Sequence, residues 1–238
     1  MSMICEIVVT NKFRNTKFFL FQEIPQITNG PSSQIFTTMY QVTDRVEAEN
    51  DGSSIVEFQM DSNFFAMFGS LRGQGSVARV ETSSFRRIRL GPGGSVVALT
   101  AVGGGLKWND AAVVGRQSSN NGSFQFLTDN TIPTNTNSNY IGVGSADPNQ
   151  PGRVIPTAVY QAEPELNSVL YPKMTFYVGA GDYDQGQLVD RNMLGSYVKI
   201  NFEGAQVPNA NIIVQRDGTW VDNNGKSAQN GVQITTMN

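Results

Sequence analysis

No histidine occurs in the 238 residues. That excludes a Ser-His-Asp triad, a Cys-His pair, a histidine-ligated metal site and a histidine pH switch. Carboxylates, lysine, tyrosine or a serine beside a lysine would still permit catalysis. With no such group standing out, the expectation is a protein that is not an enzyme. Cysteine occurs once, as Cys5, which excludes an intrachain disulfide. Its place on the same side as Ile7 and Val9 predicts a small buried residue. Charge is scarce as well: charged residues make up 16% and the net charge is −3, so nothing draws the whole chain to a polyanion and nucleic acid is not an expected partner. Long apolar runs are missing, and no segment approaches the ~20 residues of a membrane-spanning helix. The first ten residues lack the basic start, apolar centre and cleavage site of a signal peptide. A chain starting natively there is expected in the cytoplasm.

What remains is rich in Gly, Ser, Thr, Asn and Gln, a composition of turns and strands. Short runs with a period of two recur along the chain, bounded by Gly, Asn and Pro. They include Ile4–Thr10, Lys17–Ile24, Gln34–Thr43, Ile55–Met60, Phe64–Phe68, Val77–Thr82, Phe85–Leu90, Ser95–Val102 and Ser123–Leu127. Tyr140–Val143, Val154–Gln161, Met174–Gly179, Gly186–Val189, Tyr197–Phe202 and Val232–Thr236 follow. Phe18-Phe19-Leu20-Phe21 is apolar on both faces, as in a central strand covered on both sides. A turn is expected at 50–53. The strongest hairpin signal is Asn211–Val221, with Asp217-Gly218 suited to a tight type I′ turn. No sustained 3.6-residue stripe appears, and only Asp110–Val114 and Pro164–Leu170 read as single helical turns. The expected class is all-β: an antiparallel β-sandwich, jelly-roll-like or two packed sheets, with a barrel as the alternative. One domain over 1–238 is expected, with a possible subdivision in the Asn/Thr-rich stretch 128–139.

Two segments echo each other. Tyr140-Ile141-Gly142-Val143-Gly144-Ser145-Ala146-Asp147 and Tyr177-Val178-Gly179-Ala180-Gly181-Asp182-Tyr183-Asp184 share Tyr, a branched residue, Gly, a small residue, Gly and a late Asp. They read as equivalent strand-to-loop corners. Asp147, Asp182 and Asp184 could alternatively offer oxygens to Ca²⁺, the one cofactor considered, although the spacing matches neither the EF-hand loop nor the Ca²⁺-binding nonapeptide repeat. Trp108-Asn109-Asp110 offers a ring for stacking on a sugar and polar groups for its hydroxyls. Glu163 and Glu165 flank Pro164 and could act as an acid–base pair. Phe85-Arg86-Arg87-Ile88-Arg89 reads as a charged edge strand.

Many strands, low charge and polar loops point first to a non-catalytic structural protein that self-assembles into homo-oligomers or larger assemblies, its partner being itself. The alternatives are a cytosolic lectin-like protein binding a glycan through Trp108, Asn109 and Asp110, and a carboxylate-based hydrolase using Glu163 and Glu165.

Overall fold

The computed structural model describes residues 3–48, 54–118, 120–134 and 138–237, so the turn expected at 50–53 lies outside the described residues. Among the described residues the strands are β1 (Ile4–Asn11), β2 (Phe18–Gln22), β3 (Gln26–Thr28), β4 (Phe36–Thr37), β5 (Met39–Val42), β6 (Ile55–Asp61), β7 (Phe64–Arg72), β8 (Arg79–Arg87), β9 (Val96–Val102) and β10 (Gly105–Trp108). There follow β11 (Phe124–Thr128), β12 (Asn139–Ala146), β13 (Val154–Gln161), β14 (Asn167–Tyr171), β15 (Thr175–Ala180), β16 (Tyr197–Asn201), β17 (Asn209–Val214), β18 (Trp220–Asp222) and β19 (Gln233–Met237). The one α-helix among them is α1 (Lys226–Gln229). No helix among the described residues is long and apolar enough to cross a membrane.

The fold is an all-β sandwich architecture of four sheets, none closed into a barrel. The sheets pack in two pairs. In the first, β18-β17-β1-β6 faces β19-β16-β15-β2-β5 across a core that includes Ile7, Phe18, Phe58, Val178 and Trp220. In the second, β10-β9-β11-β14-β3 faces β4-β13-β12-β7-β8 around Phe64, Leu99, Phe124, Phe126 and Leu170. Pairing is antiparallel except for β1 with β17 and β9 with β11. The chain does not finish one sandwich before starting the other. It runs β1–β2 in the first, β3–β4 in the second, β5–β6 in the first, β7–β14 in the second and β15–β19 in the first. The stretch 128–139 joins β11 to β12, which serve the same core.

The reason for burial can be read strand by strand. β6 alternates, sending Val56, Phe58 and Met60 inward. β2 is buried at all five positions because its sheet is covered on both faces. Phe18 and Leu20 enter the main core, while Phe19 and Phe21 join Met39, Tyr177 and Val189 on the other side. The cover is the segment 181–194. Gly186–Val189, expected as a strand, makes only isolated bridges there: Leu188 packs on the outer face of one sheet and Val189 on that of the other. Adjacent side chains serving two sheets leave no common ladder for the segment.

Other expectations change for similar reasons. Pro164–Leu170, expected as a helical turn, contributes its last residues to β14, held between β11 and β3. Leu166, Val169 and Leu170 have helix-like spacing, but the sheet decides their conformation. Val77–Thr82 and Phe85–Leu90 are parts of one strand, β8, with a bulge opposite Phe68 and Gly69. The 211–221 hairpin forms, but Val214 faces Trp220 across five residues, with Gln215 donating to Thr219 O and only Gly218 at positive φ. A type I′ turn needs positive φ at two central residues, so the tight turn is replaced by a wider loop.

The echoed segments become β12 and β15, each the middle strand of a five-stranded sheet. Their glycines answer to packing. A Cβ at Gly144 would lie 2.8 Å from the Ile155 carbonyl oxygen, and one at Gly179 would enter the Phe19 ring. The close approach of these central strands to their neighbours therefore requires glycine.

Candidate functional site

The residues singled out as a sugar site are placed on two sides of one strand end. Trp108 closes β10 and packs between Phe68, 5.1 Å between ring centroids, and Phe126, 6.4 Å and nearly parallel at 22°. Its indole N–H donates to Ser84 Oγ at 2.9 Å. The Arg86 guanidinium lies 4.8 Å above the ring and holds both oxygens of Asp110. The hydrogen bond from Arg86 keeps the Asp110 carboxyl below the usual carboxylate range. Trp108 thus has an arginine where a sugar ring would stack, and Asp110 is engaged in holding it. Asn109 turns the other way. Its Oδ1 accepts from the Ala112 N–H at 3.3 Å, and the residue lines a separate cleft.

That cleft, about 490 Å³, lies across β9, β11 and the start of β14, over Ala98, Leu127 and Asn167. Strand register explains its composition. Leu99 of β9 is level with Trp108 of β10 and with Thr128 of β11, and Leu127 is level with Asn167 at the start of β14. Asn109 leaves β10 and Asp129 leaves β11 in opposite directions from that level, yet both stay beside the middle of β9, the Asn109 N–H donating to the Ala98 carbonyl at 2.8 Å and the Asp129 N–H to the Leu99 carbonyl at 3.4 Å, while Glu165 stands just before β14. Arg116 joins them from the loop after the single turn at Asp110–Val113. The antiparallel β11–β14 pair brings Asp129 and Glu165 side by side, the Glu165 N–H donating to the Asp129 carbonyl.

Asp129 is the most constrained group in the cleft. Its carboxylate accepts from the Thr131 N–H at 3.1 Å and from the Thr131 hydroxyl. Partial burial opposes ionisation, but hydrogen bonds from Thr131, Thr100 and Asn109 outweigh it, so the carboxyl stays below its ordinary range and is an anion at neutral pH. Glu165 sits at φ 53°, in the left-handed region. The other non-glycine residues there among those described are Asn29 and Asn224, and asparagine tolerates that region whereas glutamate does so poorly. Strained residues of this kind cluster at binding and catalytic sites. Glu165 is held by its N–H bonding to the Asp129 carbonyl at 3.3 Å.

The remaining candidates are dispersed. Glu163 and Glu165 line separate clefts. Glu163 accepts from the N–H groups of Ser32 and Ser33 at 3.0 and 2.8 Å and from the Ser32 hydroxyl at 3.0 Å, which pins the 32–33 loop. Although burial alone would raise it, these hydrogen bonds hold the Glu163 carboxyl low, the wrong direction for a general acid. Asp147 is buried, pairs with Arg153 at 3.5 Å and caps the Asn149 N–H at 2.9 Å. Asp182 is exposed beside Lys17 and Arg45, and the Asp184 N–H donates to the Gln187 side chain. The three are not brought together, and no group of three or more Asp, Glu or Cys among the described residues is placed to hold a metal ion. Cys5 is buried, and burial pushes its thiol up to about 11, which leaves it inert at neutral pH.

The model of the RhiA family matches residues 5–224. The chain belongs to the RhiA family. No curated protein and no solved structure gives a significant match. The matched span runs from β1 through β18 and includes the residues that line the cleft. Sequence reasoning reached Asn109 and Glu165 but missed Asp129, Asn130 and Arg116. A signal was available: Asp129 opens the Asn/Thr-rich stretch that follows a strand, the position from which loops carry binding residues.

Proposed function

We propose that this RhiA-family protein is a non-catalytic, lectin-like binder that holds a carbohydrate in the cleft between Asn109, Arg116, Asp129 and Glu165. The observation that carries this reading is the convergence of amide, guanidinium and carboxylate groups from separate loops on one concave surface. Sugars present adjacent hydroxyls that donate and accept. An ionised Asp129 is a permanent acceptor, Arg116 a permanent donor, and Asn109 and Asn130 supply both. The site lies at Asn109, away from the covered ring of Trp108. A glycan array, with and without Ca²⁺, is expected to reveal binders. Asp129→Asn, which keeps the shape and removes the charge, should weaken them by roughly tenfold, the effect of losing a charged hydrogen bond of about 1.5 kcal/mol. An array without binders would sink the reading.

A second reading, self-assembly, is favoured by the outer face of the β18-β17-β1-β6 sheet. Ile55, Thr10, Ile213 and Val221 lie in one row across its four strands, and Ile55 and Val221 are 52% and 38% exposed. Apolar side chains lined up on a sheet face suit contact with a second copy. Light scattering across a concentration series should then show a dimer or larger species that Ile55→Lys dissociates. A monomer at every concentration would remove this reading.

A further inference from the structure

Arg116 and Glu165 line the same cleft, yet they do not pair with each other. Among the described residues neither has an ion-pair partner within 4.0 Å. The contrast is with the other acidic groups nearby. Asp110 is neutralised by Arg86, Asp129 is occupied by Thr131, Thr100 and Asn109, and Glu163 by Ser32 and Ser33. One cation and one anion without an ion-pair partner are thus left on a single concave surface, beside Asn109, Asn130 and the hydrogen-bonded Asp129. Glu165 is also the residue whose backbone is held in the left-handed region. Its N–H bond to the Asp129 carbonyl ties that backbone to the cleft.

We infer that the cleft takes a zwitterionic saccharide: a sugar ring bearing an ammonium group, directed to Glu165, and a phosphate or carboxylate, directed to Arg116. The ring hydroxyls between those charges meet Asn109, Asn130 and Asp129. A guanidinium suits the anionic group because its fork of N–H donors matches phosphate and carboxylate oxygens. An ammonium suits Glu165 because its donors meet an unshared carboxylate. A ligand with only the anionic group would leave Glu165 unpaired and repelling it, and one with only the ammonium would leave Arg116 in the same position. Specificity therefore arises from the wrong-charge ligands being disfavoured as much as from the right one being held.

This inference rests on the carbohydrate reading of the cleft, and four probes separate the two. They are glucose, glucosamine, glucose 6-phosphate and glucosamine 6-phosphate, each titrated calorimetrically into the intact protein at low salt. Glucosamine 6-phosphate is expected to bind tightest, by about fivefold over either singly charged sugar, the scale of a partly solvated ion pair near 1 kcal/mol. Arg116→Gln should abolish the advantage conferred by phosphate and leave that of the ammonium, and Glu165→Gln should do the reverse. Gln at 165 can adopt the same backbone conformation at similar cost, and a thermal melt of each variant checks that the fold is kept. Equal affinity for all four probes would overturn the zwitterion while the carbohydrate reading stands. Preference for a singly charged sugar would do the same. Binding of none, in the wild-type protein, would overturn both.

Discussion

Replacing Gly142 with alanine is expected to destabilise the protein by more than about 4 kcal/mol, enough to unfold many domains of this size. Gly142 lies in β12, the middle strand of its sheet. An added methyl would overlap the Ala158 carbonyl oxygen and come within 2.9 Å of the Val159 Cα and 3.0 Å of the Ala158 carbonyl carbon. All three atoms are backbone of the adjacent strand β13, so no side-chain rotation can relieve the overlap. Relief requires β12 and β13 to separate, which breaks ladder bonds in a sheet whose inner face carries Ile141, Val143 and Tyr160. Gly195→Ala is the control: nothing lies within 4 Å of the added atom and its φ is not positive. Its effect should stay within about 0.5 kcal/mol, as for ordinary surface changes. Denaturant midpoints, read at constant slope, measure both. A Gly142→Ala variant as stable as Gly195→Ala would mean that the close approach of β12 and β13 is not a feature of the folded protein.

Phe18→Ala should cost about 3–5 kcal/mol, the usual penalty for emptying a fully buried aromatic site. Phe18 is 0% exposed and meets the Trp220 ring edge-on at 6.1 Å. The same variant tests whether the protein folds as one unit. Trp220 belongs to the first core and Trp108 packs against the second, so each sandwich carries its own fluorescent reporter. The chain passes back and forth between the sandwiches, and Ile155 of β13 packs in the first core although its strand belongs to the second. Loss of the first core should therefore remove support from the second. We expect Trp108→Phe and Trp220→Phe backgrounds to report the same lowered midpoint for Phe18→Ala. A midpoint at Trp108 left unchanged while that at Trp220 falls would show two independent units.

The strands were legible because each carries its own pattern. Val56, Phe58 and Met60 alternate with Ile55, Glu57 and Gln59, and either face of β6 could be assigned to core or solvent without knowing its neighbours. The double-sided apolar run at Phe18–Phe21 announced cover on both faces, and the sheet has it. Reading failed where a residue's role depended on a distant partner. Leu166 and Leu170 look helical in isolation and are strand-flanking or strand residues because β11 lies beside them. Trp108 looks like an open platform until Arg86, from a strand of the facing sheet, is placed on its ring.

The cleft shows the same division. The sequence by itself determined that the chain is all-β, free of disulfides and histidine chemistry, and marked by two similar glycine-bearing segments. These are properties of composition and of spacing within a few residues. Only the tertiary structure decided that there are two interleaved sandwiches, that Glu163 and Glu165 part company across Pro164, and that Asn109, Arg116, Asp129 and Glu165 share a surface. That surface depends on register between strands far apart in the chain, both the parallel pairing of β9 with β11 that sets Leu99 level with Thr128 and the antiparallel pairing of β11 with β14 that sets Leu127 level with Asn167. Register of this kind comes from the burial of both sandwiches' faces at once, and no local stretch of sequence contains it.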